Sequence, residues 1–369
     1  MISCRAMRGD VKKQASFLTI VGPEQRVPQD HPIRRIKALA DAELERLSAQ
    51  FDEMYAGGGR PSIPPESLLK ACLLIALFSV RSERQFCERL NYDLMFRYFL
   101  DMGMEEDGFD SSVFAKNKER LLKADVARLF FDGVVRRAKE GRLISAEHFT
   151  VDGTLIEAWA SVKSFKKKGE SKDEPPDDPG NPTVNFHGEK RSNETHESTT
   201  DPESKLATKG RHQASKLSYA AHVLMENRNG LCVDIEVTQA GGMAEREGAL
   251  AMLDRQPTRG IQPRTLAADA AYDIMQFGED VRARHVTPHI AQSRDPRRKR
   301  HVVDDRVTRR RPYKASQRAR KKVEEIFGWM KTVGGFRKTR YRGAAKTGLW
   351  AYVTATAYNL VRLSKLLPA

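Results

Sequence analysis

Cysteine is scarce and scattered in this chain of 369 residues. Cys4, Cys72, Cys87 and Cys232 are the only four, and no two stand in CxxC spacing. Neither a disulfide framework nor a structural zinc site is expected, and the four read as small apolar residues. Long apolar runs are missing as well. The two longest uncharged stretches, 71–80 and 347–361, fall short of the ~20 residues that span a bilayer. A helical membrane span is thereby excluded. The N-terminus turns polar without the apolar core of a secretory signal, so a cytosolic setting is expected. Paired histidines are also lacking: His148 and His222 lie on strand-like patterns with no second histidine at ligand spacing, and neither is taken as a metal ligand.

Charge is what the chain has in excess. Lys and Arg number 64 against 49 Asp and Glu, giving +15 and a pI near 9.7. Most of it is local, because residues 294–322 hold fourteen Lys or Arg and three acids, a segment of +11 that leaves +4 for the rest. A patch of this kind attracts a polyanion, with binding that falls steeply as salt rises. Duplex DNA is the expected partner. A solvated run serving only solubility is the alternative for such a segment taken alone.

Two regions and an interruption are expected. Residues 1–142 read as helical throughout: Pro64 and Pro65 suit a helix start, and Leu68, Leu69, Cys72, Leu73, Ala76, Leu77 and Val80 follow a buried three-four spacing. Ser82 and Gln85 have the form of a capping box. Asp110 or Ser111 would cap a helix carrying Lys116, Asn117, Lys118 and Arg120, which short turns would allow to be presented to DNA as a recognition helix. From 143 the pattern becomes strand-like, with Phe149 and Val151 alternating against Thr150 and Asp152. Residues 163–215 are rich in Lys, Glu, Asp, Pro, Ser and Asn and read as a mobile polar insertion. Structure resumes as a hairpin, 218–227 and 231–239, around Asn229 and Gly230. A helix at 244–256, a strand ending at Asp269, a helix at 274–284, a strand at 286–291 and a helix at 316–333 complete an α/β domain of 143–162 and 216–369. The order is three strands, helix, strand, helix, strand, helix.

Two acids stand at strand ends in this order, Asp152 and Asp269, and a third, Glu324, lies on the last helix. Three carboxylates from three elements can hold two magnesium ions, with manganese as a substitute, since magnesium takes hard oxygen ligands and keeps several waters. Paired ions of this kind serve in-line phosphoryl displacement. On a continuous helix of 100° per residue, Val323, Ile326, Phe327 and Met330 form the apolar stripe. Arg320, Glu324 and Lys331 then cluster beside it while Glu325 points ~100° further round. Glu324 is therefore the expected ligand and Glu325 the spectator. Arg320 and Lys331, together with Arg309, Arg310 and Arg311 of the basic segment, are expected to meet DNA phosphates. Trp159, Trp329 and Trp350 are read as packing residues.

Three blocks carry a resemblance: Asp152-Gly-Thr-Leu-Ile-Glu-Ala, Ala268-Asp269-Ala-Ala-Tyr272-Asp273, and Arg320-Lys-Lys-Val-Glu324 followed by Lys331. They resemble the acidic blocks of DDE transposases of bacterial insertion sequences, specifically the IS-five branch, and Gly59-Arg-Pro-Ser-Ile-Pro-Pro-Glu-Ser-Leu-Leu resembles that branch's helical N-terminal domain. The resemblance implies a ribonuclease-H-like mixed sheet flanked by helices, preceded by an all-helical domain. It implies Asp152, Asp269 and Glu324 as catalytic metal ligands, duplex DNA as substrate and a homodimer or larger assembly on it. A nuclease of the same fold that does not join, or an inactive DNA-binding remnant, are the competing expectations. The family pattern opens its last block with a tyrosine where this chain has Gln317, and Tyr313 is out of register.

Overall fold

The computed structural model of the chain describes residues 22–54, 62–123, 125–169, 191–208, 213–298 and 300–367. Cys4 lies outside them. Eight helices come first: α1 (Pro23–Arg26), α2 (Pro32–Arg46), α3 (Ser48–Glu53), α4 (Pro65–Leu77), α5 (Glu83–Arg89), α6 (Leu94–Phe99), α7 (Ser111–Lys123) and α8 (Val126–Glu140). Their starts follow the local chemistry. Pro65 opens α4, Ser82 accepts from Gln85 N at 3.1 Å to cap α5, and Asp93 accepts from Phe96 N at 3.1 Å to cap α6. The α4 helix is buried on nearly every side rather than along one stripe, and even Lys70 is enclosed, held by Asp41 and Asp101 at 2.8 and 2.5 Å.

The sheet follows with strands β1 (His148–Glu157), β4 (Lys205–Ala207), β5 (Lys216–Glu226), β6 (Leu231–Gln239), β7 (Thr265–Ala268) and β8 (Thr287–Ile290); β2 (Phe165–Lys167) and β3 (His196–Ser198) form a separate pair. Antiparallel β1, β5 and β6 give way to parallel β7 and β8 in the spatial order β6, β5, β1, β7, β8. Helices α9 (Ala244–Arg255) and α10 (Met275–Ala283) alternate with the later strands, and α11 (Asp305–Thr308), α12 (Arg311–Arg320), α13 (Val323–Thr332) and α14 (Ala344–Leu366) close the chain. Strand order and directions are those of a ribonuclease-H-like core, the fold class expected. The hairpin turns at Gly230, whose φ of +65° only glycine adopts without strain, and buried Glu226 accepts from the amides of Arg228 and Asn229 to shape the loop.

One hydrophobic core runs through the helical region and the sheet. The helix that joins them is α14, which packs against α2, α4, α8 and β6. Its polar residues are satisfied inside: Thr354 and Thr356 bond back along the helix, and Asn359 exchanges two hydrogen bonds with the backbone of Cys232 on the free edge of β6. Arg259 adds a second tie, with ion pairs to Asp132 of α8 and Asp234 of β6 at 2.5 and 2.8 Å. No helix among the described residues is long and apolar enough to cross a membrane. Cys72, Cys87 and Cys232 are free and buried, and burial pushes the Cys72 and Cys87 thiols up to about 12 and about 11.

The described parts of 163–215 correct the reading of that segment as a mobile insertion. Phe165 is buried in a small second core with Leu217 and Tyr219, and β4 extends the sheet by pairing with residues 216–218 at the end of β5 that β6 leaves free. Composition misled here because the burial is made by few residues, with Asp201 as their polar anchor. Its carboxylate accepts from Tyr219 Oη at 2.7 Å and from Gly343 N at 3.2 Å, with the Asp201 and Tyr219 side chains both buried. Asp201→Ala leaves that hydroxyl without a partner and should cost roughly 1–3 kcal/mol, read as a lower urea midpoint. An unchanged midpoint would show that the segment does not bear on stability.

Candidate active site

The site begins where β7 leaves β1. Their parallel pairing ends at Thr150 with Ala267, after which β1 runs on against β5, with a parallel bridge to Lys338 at its last residue, Glu157. Asp152 and Asp269 each stand two residues past that last pair, in equivalent positions where the two chains part. A crevice beyond the carboxyl ends of parallel strands is where open α/β sheets bind ligands. Asp152 accepts from Gly153 N at 2.8 Å, and Asp269 caps the short turn after β7 by accepting from Ala271 N at 2.8 Å.

Helices α12 and α13 bring the third acid. Side chains at 152 and 154 share one face of β1, and Lys331 of α13 donates to Thr154 Oγ1 at 2.5 Å on that face. Glu324 lies in the first turn of α13 with its carboxylate exposed, while Val323, Ile326, Phe327 and Met330 are buried as the spacing requires. The expected single helix over 316–333 is instead two. Residues 321 and 322 make a turn in which amides bond three residues back, Lys322 N to Ala319 O at 2.9 Å and Glu324 N to Lys321 O at 3.1 Å. Such turns advance about 120° per residue instead of 100°, so the angular count from Arg320 to Lys331 does not hold as drawn. Glu325 points elsewhere, in an ion pair with Arg362 at 3.1 Å. The Glu324 carboxylate has no hydrogen bond or ion pair among the described residues.

The charges of Asp269 and Glu324 both act on Asp152. Burial, and then the charges of Asp269 and Glu324, push the Asp152 carboxyl up to about 6, while Gly153 N and Arg320 pull the other way. Arg320 is positioned by Gln317, which accepts from its Nε at 3.3 Å and donates to the carbonyls of Ala268 and His289 at the ends of β7 and β8. The residue at the usual tyrosine position thus braces two strand ends. Tyr313 belongs to the core, donating to Ile290 O at 3.1 Å. Among the described residues no three His, Cys, Asp or Glu side chains converge tightly enough to hold a metal ion as they stand. Like charges separate such carboxylates until a cation draws them in, and the uncompensated charge at Asp152 fits that demand.

Three residues here escaped the reading from sequence. Glu245, in the first turn of α9, brings a fourth carboxyl beside the site, pushed up by burial and by Asp269. Gly153 leaves room for it, since a Cβ there would lie 3.2 Å from Glu245 Oε1 and from His222 Nδ1. Tyr272 is 1% exposed, its hydroxyl has no partner among the described residues, and its acidity is suppressed by burial and by Glu245, Asp152 and Asp269. Asp273 anchors the basic segment: its carboxylate takes His301 Nδ1 at 2.7 Å and the amides of Ser293 and Val302. Asp152-Gly was the available signal for a close approach, but nothing in the pattern set Glu245 apart from Glu247. His222 remains a buried neutral imidazole, pushed down to about 4 by burial and bonded to Thr238.

The proposed DNA contacts divide. The described residues of 294–322 are folded, with Val302, Val303 and Tyr313 buried, which sets aside a solvated run. Arg309, Arg310 and Arg311 are exposed at the start of α12, ~14 Å of helix from Arg320. Lys331 is partly buried and donates to Thr154 Oγ1. The recognition helix needs correction: Asn117 is buried and bonded to Ser62 and Val113, and Lys118 is paired with Glu83 under the ring of Tyr341. Lys116 and Arg120 stay on its exposed face. Trp350 is buried and Trp329 half-buried, but Trp159 is 50% exposed and is not a packing residue.

Asp152 lies midway along β1 rather than at the strand end expected from sequence, while Asp269 directly follows β7. Residues 22–120 match a family described as a transposase domain (DUF772), and residues 183–360 match the transposase DDE domain, a span that takes in Asp269 and Glu324 and begins downstream of Asp152. Two separate regions of the chain thus match transposase families, one of them the DDE domain. No curated protein matches it significantly. Among solved structures it is similar to a piggyBac transposase synaptic complex with hairpin DNA (11% identity, 91% of this chain and 73% of that one, TM-score 0.38). A second is the Mos1 transposase paired-end complex with left transposon end (10% identity, 80% and 88%, TM-score 0.21). At these scores the strand order carries the fold assignment.

The raised carboxyl of Asp152 sets a pH dependence. With its folded pKa near 6 and an unfolded value near 4, the folded state binds the extra proton between those values. Stability from this group is full below pH ~4 and is lost as pH rises through 6. In cation-free buffer Asp152→Asn should therefore be more stable than the native protein at pH 8, by at most about 3 kcal/mol, and equal to it below pH ~4. Thermal melts across pH check this; a variant that is less stable at pH 8 contradicts it.

Proposed function

We propose that the protein cuts the ends of an insertion sequence and joins the freed 3′-hydroxyl to target DNA by two-metal phosphoryl transfer. The shared field of Asp152, Asp269 and Glu324 at the β1–β7 divergence is the observation that carries this reading. These three would hold two magnesium ions, with manganese able to substitute. Bound there, such ions activate the attacking oxygen and stabilise the leaving one. Water attacks the phosphodiester first, and the 3′-hydroxyl released then attacks the target strand, so no covalent protein intermediate is needed. Arg320, braced by Gln317, faces the same carboxylates and meets the phosphate. Arg309, Arg310 and Arg311 hold the backbone of duplex DNA further out. Membership of the IS-five branch, a bacterial cytoplasmic setting and a homodimer or larger assembly on DNA belong to the same proposal.

Asp152→Asn, Asp269→Asn and Glu324→Gln should each reduce cleavage to background while end binding survives, because each removes charge without size. Glu325→Gln should cut normally, losing only a surface pair worth ~0.5 kcal/mol. Duplexes carrying the inverted repeats that flank the coding region serve as substrate, with nicking and strand-transfer products read separately. An active Glu324→Gln protein reverses the assignment, and cleavage without joined product limits the protein to a nuclease. Replacing Arg309, Arg310 and Arg311 with Ala should weaken cognate and unrelated duplexes alike. The slope of log affinity against log salt should fall by ~0.9 for each phosphate no longer neutralised; an unchanged slope removes these residues from the DNA path.

A further inference from the structure

A cavity of about 600 Å³ lies between the ends of α4 and α5, α7, the start of α14 and the residues that follow β1. Its volume is within the range of ligand pockets, roughly 300–1,000 Å³. Five cations and two acids line it, and both acids are engaged: Glu83 with Lys118 and with Tyr341 Oη at 3.3 Å, Glu119 with Lys346 at 2.6 Å. Arg81, Arg84 and Arg340 form no ion pair with a carboxylate among the described residues. Arg340 is the deepest, donating to Val80 O at 2.8 Å, and burial lowers its pKa because the nearby Tyr341 and Glu83 do not offset the lost solvation. At the same wall stands Trp159, half exposed, two residues past the end of β1.

The geometry points to this cavity as the seat of one unpaired nucleotide of the DNA strand that enters the acid site, its base against Trp159 and its phosphate on Arg81, Arg84 and Arg340. An exposed indole beside guanidiniums without carboxylate partners matches the two faces of a nucleotide, a π-surface and an anion. A duplex is too wide for a space of this size, so the base has to leave its stack to enter. Asp152 and Trp159 lie seven residues apart on the same strand path, at most about 23 Å, which is within about seven base steps at 3.4 Å each. The cavity and the carboxylates can therefore hold one strand at once. This inference rests on the reading of the chain as a DNA-processing enzyme.

The test compares a blunt end duplex with the same duplex carrying one unpaired nucleotide at each of the first seven positions, bound to the full chain. The native protein should prefer one unpaired position by about 5- to 100-fold, the range of a single base–aromatic stack. Trp159→Ala should abolish the preference with blunt-duplex affinity unchanged, and Trp159→Phe should restore most of it. Arg340→Gln with Arg84→Gln should lower the salt slope on the unpaired substrate by ~0.7 for each phosphate released and spare the blunt one. No preference in the native protein, or a preference that survives Trp159→Ala, overturns the inference while leaving the transposase reading intact. Failure to bind either duplex overturns both.

Discussion

The parallel pairing of β1 with β7 is the contact on which the site depends. Because it stops at Thr150 and Ala267, the two strands diverge just before their acids, and a polar crevice opens in a sheet whose other positions are closed by side chains. The divergence is enforced from both sides. Asp269 spends one oxygen on Ala271 N, which turns the chain away, and on the β8 side Ala291 N and Gln317 Nε2 both donate to the carbonyl of Ala268. Asp273, four residues on, fastens the basic segment to that turn, so the cations approach the acids along a fixed path.

Rigidity of this crevice comes from further away. Helix α14 is shared between the N-terminal helices and β6, and Arg259 links Asp132 of α8 to Asp234 inside the sheet. Buried ion pairs of this sort contribute little net stability but are costly to break singly. Their consequence is mechanical: α4, α5 and α7 cannot swing independently of β1. The cavity holding Trp159 and Arg340 exists only because those helices stand in one place relative to the strand.

Much of this was legible from the chain. Alternation at Phe149 and Val151, the Asn229-Gly230 turn and the acid at the end of Leu266-Ala-Ala set out strand order and two of the three acids, since each is a local signal with a period of its own. The break between α12 and α13 was not legible, because residues 321 and 322 keep helical dihedrals and differ only in hydrogen-bond spacing. Asn117 and Lys118 looked like a reading surface because polarity on a helix says nothing of which neighbour covers it; Ser62 and Glu83 cover these two. The same blindness concealed α14, whose threonines and Asn359 lie inside, and β4, where Asp201 makes a polar segment into a packed one. Trp159 failed in the opposite sense, an aromatic read as core that is half in solvent.

The charge balance gives these elements a common sense. The chain carries +15, yet Asp152 feels the negative charges of Asp269 and Glu324 beyond the end of the β1–β7 pairing. Repulsion within that group is relieved only by positive charge. Arg320 supplies one such charge from the protein, fixed by Gln317 and directed at Asp152. It is too little alone, for Asp152 keeps a carboxyl pushed up to about 6 with Arg320 in place. Burial is the larger cause of that shift, and the charges of Asp269 and Glu324 add to it, so the carboxyl stands where desolvation and like charge act together.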